Sequence, residues 1–277
     1  PLVAAGVIGS LAFACRPHAG LFGLAFALTI LFWRRDAFLA FALAAFPVLA
    51  LVAAYNTWFF DSPIVFAQSL RSADVALFKT GDGSLMGARP WEALAGLLFS
   101  PSRGLFVLSP VLASGLVAGL VMAVRRGHHE GLSREIGAAL KVQFLAALGV
   151  MVTAALWFDW WGGYTVSYRP LLEMLPILAV LTAWCLGRWK SRVFRAVWAL
   201  SLAWSILVSV GTVTHPGAVL WNEEVNVDRH PEKVWQLRGS LVERVLQRRE
   251  SDRLPLADCR PVTLEGCEIR EEGRERP

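Results

Sequence analysis

Apolar and polar positions along this chain alternate in blocks rather than singly. Near-continuous apolar runs occupy residues 1–14, 19–33, 37–55, 104–124, 142–158, 171–187 and 196–214, with polar connectors between them. A soluble core does not need so many such runs, whereas a bilayer crossing needs roughly 17–25 mostly apolar residues. Lipid cannot satisfy an open backbone, so crossing segments of this kind are helices rather than an open set of strands. The pattern predicts an all-α fold, a polytopic transmembrane helical bundle of about seven spans. The shorter runs must tilt or extend into their loops. Residues 91–99, "WEALAGLLF", are too short to span and predict an interfacial or re-entrant helix.

Two regions follow. A transmembrane domain covers 1–214 and includes a long loop at 56–103; a polar tail covers 215–277. A loop of that length is uncommon in a compact fold and is often functional. In the tail, Val234, Leu237, Leu241 and Val245 stand near helical spacing and predict a short amphipathic helix within 232–249. Residues 270–277, "REEGRERP", have nothing to bury and are expected to be disordered.

Charge sets the expected orientation. Connector 34–36 carries Arg34 and Arg35, connector 125–141 carries Arg125, Arg126, Arg134 and Lys141, and connector 188–195 carries Arg188, Lys190, Arg192 and Arg195. These alternate connectors share one side, which the positive-inside rule makes cytoplasmic. Connectors 15–18, 56–103 and 159–170 and the tail are then extracytoplasmic, in a multi-pass protein of the inner or plasma membrane. The chain opens on Pro1 inside an apolar run, with no charged segment and cleavage site of a signal peptide, and is expected to be part of a longer protein.

Composition agrees, with 55% hydrophobic and 18% charged residues. The net charge of +5 does not point to nucleic acid. Its Lys and Arg lie in connectors and tail, with no basic stripe interleaved with aromatics. Cys15 and Cys185 lie in or near spans and read as small hydrophobes. Cys259 and Cys267 in the tail could form a disulfide outside the cytoplasm or stay reduced. Five scattered histidines give no metal-ligand spacing. No cofactor motif is evident, and a divalent metal stays an open alternative.

Candidate chemistry gathers in the extracytoplasmic connectors. Arg16, Arg103 and Arg169 each abut an apolar run beside Pro or Gly, in "RP", "SPSRG" and "YRP". Each reads either as a snorkelling anchor at the headgroup level or as a bidentate phosphate ligand. Trp157, Trp160 and Trp161 read as an interfacial belt or as the wall of a ligand site, where Gly162 and Gly163 allow close backbone approach. Asp159 reads as the partner of a loop arginine or as a catalytic carboxylate. Tyr164 and Tyr168 complete this stretch.

Taken in order, "FFDSPIVFAQSL", "GLLFSPSRGLFVLSPVL" and "WWGGYTVSYRPLLEMLPIL" resemble the second half of bacterial GT-C-type membrane glycosyltransferases, the family 39-like or dolichyl-phosphate-mannose–protein mannosyltransferase-like group. The tail segment "WNEEVNVDRHPEKVW" is similar to C-terminal segments of such proteins. The resemblance implies a polyprenyl-phosphate-linked sugar donor, membrane lipid around the site, and transfer to a lipid, glycan or protein acceptor at the outer face. Arg103 matches the arginine of the family's "SP.RGL", and Trp160, Trp161, Gly162 and Gly163 match its "WWGG". The family's "GPR" reads "SYRP" here. Nothing in 1–18 matches the loop that bears the family's catalytic carboxylates, so these are expected upstream and the catalytic residues of this chain are unknown. The expected substrate site comprises Arg16, Arg103, Asp159, Trp160, Trp161, Gly162, Gly163, Tyr168 and Arg169. The alternative is a non-catalytic membrane component, or a transporter or flippase for lipid-linked sugars. It is disfavoured by the scarcity of charge within the spans, where Glu173 stands nearly alone.

Overall fold

The computed structural model describes residues 2–66, 86–87, 89–125, 131–163, 168–219, 221, 227–228 and 230–247. The described residues are helical throughout, apart from turns and one isolated bridge between Met86 and Trp157. Helices α1 (Leu2–Cys15), α2 (Gly20–Trp33) and α3 (Arg35–Phe60) come first. Next are α4 (Pro90–Phe99), α5 (Leu105–Leu108), α6 (Ala113–Val124) and α7 (Arg134–Leu156). The chain continues through α8 (Leu175–Arg188), α9 (Arg192–Thr214), the single turn α10 (Pro216–Val219) and α11 (Leu241–Leu246). Short 3-10 segments occupy Pro17–Ala19, Pro110–Leu112, Arg169–Met174 and Pro231–Trp235.

Four helical stretches are long and apolar enough to cross a membrane: Arg35–Phe60, Arg134–Leu156, Arg169–Arg188 and Arg192–Thr214. At 1.5 Å per residue α3 is about 39 Å long, more than the roughly 30 Å hydrocarbon core. Helices α1 and α2, with 14 residues each, reach only about 21 Å. The apolar run at 104–124 is broken. Ser109 leaves helical geometry ahead of Pro110, whose ring excludes the helical conformation of its predecessor, and α6 restarts only at Ala113. Large apolar side chains such as Leu51, Leu200 and Val213 stand more than two-thirds exposed on the outward faces of α3 and α9, where lipid would cover them.

The boundaries have local causes. Ser133 caps α7, its hydroxyl accepting from the Ile136 N–H at 3.3 Å, and Ser191 caps α9 by accepting from the Phe194 N–H at 3.4 Å. The cap at Ser133 starts α7 well before residue 142, so Arg134 and Lys141 lie on the helix rather than in a connector. Asp61 ends α3 in the left-handed region at φ 54.

Small residues set the closest helix contacts, as expected where lipid removes the ordinary hydrophobic drive between helices. A Cβ on Gly6 of α1 would stand 2.5 Å from the Phe41 carbonyl of α3. One on Gly115 of α6 would overlap the Leu178 carbonyl of α8 and lie 2.6 Å from the Thr182 hydroxyl oxygen. Phe144 of α7 lies over Gly119 in the same way and is fully buried.

The tail departs from the expected helix over 232–249. Pro231–Trp235 is a 3-10 segment, Gly239 turns the chain at φ 73, and only Leu241–Leu246 is α-helical. Val234 and Leu241 are fully buried while Leu237 is 76% exposed, so the apolar spacing reports two separate contacts rather than one helix face. The tail packs on the bundle: Val245 sits against Gly211 of α9, and Arg244 donates to the Gly217 carbonyl at 3.4 Å. Tyr164, residues 67–85, residues 222–226 and the end from 248, with Cys259 and Cys267, lie outside the described residues.

Candidate functional site

The turn 100–104 is built by one hydroxyl. Ser100 Oγ accepts the backbone N–H groups of Ser102 (3.3 Å) and Arg103 (3.1 Å) and donates to the Val234 carbonyl at 2.7 Å. That uses the full capacity of a hydroxyl and ties the turn to the tail. Gly104 is required, since a Cβ there would come 2.5 Å from the Ser100 nitrogen. Ser102 Oγ accepts the Leu241 N–H at 3.3 Å, a second tie to the tail.

Arg103 is thereby driven inward and is 1% exposed. Its guanidinium donates to the Gly163 carbonyl at 3.1 Å and lies 5.1 Å from the centre of the Trp221 ring, within cation–π range. Burial lowers its pKa to about 10, against the upward pull of Asp159 and then Asp228. At neutral pH it therefore remains a cation.

The turn 157–163 faces it. Asp159 folds back on its own backbone: its carbonyl accepts the Gly162 N–H at 2.9 Å, and its carboxylate accepts the Gly163 N–H at 3.1 Å. Gly162 and Gly163 take φ of 77 and 62, consecutive left-handed positions that a side chain would strain. Trp160 is 8% exposed and lies on Gly96 of α4, where any Cβ would overlap its ring. Its ring centroid is 5.8 Å from that of Trp161 and 6.2 Å from that of Trp235. Trp161 donates its indole N–H to Asp228 at 3.1 Å. The half-buried carboxylates of Asp159 and Asp228 thus flank Gly163 beside one buried cation. Trp157 meets residues 86–87, the Gly87 N–H donating to the Leu156 carbonyl at 2.8 Å.

Tyr168 and Arg169 part company. Tyr168 is buried, its hydroxyl 2.7 Å from that of Ser109, the serine just before Pro110. Arg169 opens the 3-10 segment Arg169–Met174 and is exposed. Arg16 is ion-paired to Glu173 of that segment. Residues of the loop 56–103, of the connector 159–170 and of the tail are therefore linked by direct contacts, and Arg16 of the connector 15–18 is tied to Glu173 of the adjoining segment. Arg103 and Asp159 to Gly163 form one cluster; Arg16 belongs with Glu173, and Arg169 lies in the chain between the two.

Three contributors escaped the sequence reading. Asp228 and Trp221 reach the cluster only through tail docking, which no local spacing signals. Glu173 did carry a signal, as the lone acidic residue within the run 171–187. Among the described residues no group of three or more His, Cys, Asp or Glu gathers to hold a metal. Comparison with protein-family models, curated proteins and solved structures gives no match.

Proposed function

We propose that this protein is a multi-pass membrane glycosyltransferase that moves a sugar from a polyprenyl-phosphate donor to a lipid, glycan or protein acceptor at the extracytoplasmic face of the inner or plasma membrane. The observation that carries this reading is the meeting of three segments far apart in sequence. Arg103 of "SPSRG", Asp159 and Gly163 around "WWGG", and Asp228 of the tail segment converge on one cluster. These are the segments in which the chain resembles GT-C-type transferases.

In this reading all seven apolar segments cross or enter the bilayer, with α1, α2 and the broken 104–124 run tilted or shared with loops. Exposed Trp33 and Trp189, beside Arg34 and Arg188, mark the cytoplasmic interface; exposed Trp58 and Trp91 mark the opposite one. Arg169, exposed at the start of the segment Arg169–Met174, is the arginine that meets the donor phosphate, because a guanidinium pairs bidentately with phosphate and holds its charge. Arg103 acts from below by fixing the glycine turn. The charge that develops on the leaving phosphate is then stabilised by groups already in place.

The test is donor turnover in proteoliposomes by the complete protein, with any segment that precedes Pro1. The donors are undecaprenyl phosphate carrying tritiated glucose, mannose, galactose or aminoarabinose. Release of undecaprenyl phosphate from at least one donor is expected, to water or to added acceptor. Arg169→Ala should lower kcat/KM about tenfold or more, the worth of one charged hydrogen bond. No cleavage of any donor, or movement of intact donor across the bilayer without cleavage, contradicts the proposal.

A further inference from the structure

The connector between α8 and α9 carries a concentration of positive charge that the Arg103 cluster does not use. Arg188, Lys190, Arg192 and Arg195 fall within 188–195, and no Asp or Glu occurs between Glu173 and Glu223. The two other basic connectors differ. Arg34 is paired with Asp36 at 3.7 Å, and the connector 125–141 contains Glu130 and Glu135. A topology signal needs only an excess of Lys and Arg, so it does not account for the missing carboxylates. Among the described residues, Lys190, Arg192 and Arg195 are exposed and form no ion pair.

The fold holds these cations at one level. Helix α8 ends at Arg188 and α9 begins at Arg192, leaving only Trp189–Ser191 between them. The Arg188 guanidinium lies 5.7 Å from the centre of the Trp184 ring. Trp189 is half exposed and meets Phe194 edge-on, with ring centroids 4.4 Å apart, which suits the boundary between headgroups and acyl chains. Arg192 and Arg195, three residues apart, are neighbours on the helix surface and repel each other until an anion joins them. Further along α9, Val193, Val197 and Leu200 recur at helical spacing, and each is more than half exposed. Cations above an apolar strip match an amphiphile with an anionic headgroup; a free phosphate would leave the strip unused.

We propose that this connector is a docking surface for an anionic glycerophospholipid. Lys190, Arg192 and Arg195 hold its phosphate, and an acyl chain lies along Val193, Val197 and Leu200. In the proposed orientation this is the cytoplasmic leaflet, whose anionic lipids attract basic segments beside a span. The inference does not depend on the chemistry performed at the Arg103 cluster.

The test is binding of phosphatidylglycerol and phosphatidylcholine, each with a fluorescent acyl chain, to the complete protein in detergent. One cation near an anionic headgroup is worth roughly fivefold in binding. The wild type should therefore prefer phosphatidylglycerol by about tenfold or more. The variant Lys190→Gln, Arg192→Gln, Arg195→Gln should lose the preference to within about threefold. The variant Arg34→Gln, Arg35→Gln, Arg134→Gln, which loses the same charge elsewhere, should keep it. No preference in the wild type, or an equal loss in both variants, overturns the proposal. Inorganic phosphate at constant ionic strength should not displace the lipid; displacement would make this a site for free phosphate and overturn the docking of a lipid. Should the first variant fail to fold, a photoactivatable phosphatidylglycerol on the wild type decides instead. Adducts within 188–200 are expected, and adducts confined to other segments refute the assignment.

Discussion

Arg103→Met removes a buried cation while keeping most of its volume. The guanidinium hydrogen bond to Gly163 and the counter-charge to Asp159 and Asp228 are lost together. Breaking a buried ion pair from one side costs about 3–5 kcal/mol, because the partner charge stays behind. Asp159 and Asp228 are half-buried, so solvent relieves part of this and the lower end, about 3 kcal/mol, is expected. For a chain of this size that is a fall in Tm of roughly 6–12 °C, at about 2–4 °C per kcal/mol. Scanning fluorimetry in detergent reads it directly. The triple variant Arg103→Met, Asp159→Asn, Asp228→Asn removes the stranded charges and should recover more than half of the loss. A single variant within about 2 °C of wild type, or a triple variant no better than the single one, refutes the view that Arg103 neutralises these two carboxylates. The folded pKa of Arg103, about 10, lies below its ordinary value. The unfolded chain therefore binds more protons only between those values, and stability from this group rises only across that alkaline window. No Arg103-dependent change in Tm is expected from pH 6 to 9.

Gly163→Ala should lower stability by about 1–2 kcal/mol, since φ 62 is left-handed and the new Cβ would lie 3.4 Å from the Asp159 carboxylate; thermal unfolding measures it. A double-mutant cycle of Ser109→Ala and Tyr168→Phe should return a coupling of about 1 kcal/mol from their 2.7 Å hydrogen bond. Gly115→Leu should force α6 from α8 at the Leu178 carbonyl, lowering Tm and the folded yield in detergent, whereas the same change at Gly187, where nothing lies within 4 Å, should not. Cys15 is exposed at the site end of the bundle and Cys185 is buried. In the proposed orientation, a membrane-impermeant maleimide applied outside intact cells should label Cys15 and not Cys185.

Much of the helical scaffold was legible because lipid-crossing segments must be apolar throughout, and long apolar runs survive any ambiguity of period. The ends were less legible. Ser133 starts α7 before the apolar run, and Ser109–Pro110 divides a run that looks continuous by hydropathy alone. The tail misled because Val234, Leu237 and Leu241 sit at helical spacing although Gly239 turns the chain between them, and packing rather than period decides which is buried. At the site, "SPSRG" and "WWGG" announced themselves through glycines and aromatics whose need is local. Their partners Asp228, Trp221 and Val234 are separated from them by more than fifty residues, and no spacing rule carries that distance. Arg103 read either as a snorkelling anchor or as a phosphate ligand because it abuts an apolar run; the Ser100 hydroxyl that turns it inward is visible only once the chain is folded.

The most direct measurement is photocrosslinking of the full chain in membranes with a benzophenone-bearing undecaprenyl phosphate, mapped by mass spectrometry. Adducts concentrated on residues 157–175 and 96–104, and competed away by unlabelled undecaprenyl phosphate, are the expected result. Adducts spread along the lipid-facing surfaces of α3 and α9, with no competition, would contradict a polyprenyl-phosphate site at this end of the bundle.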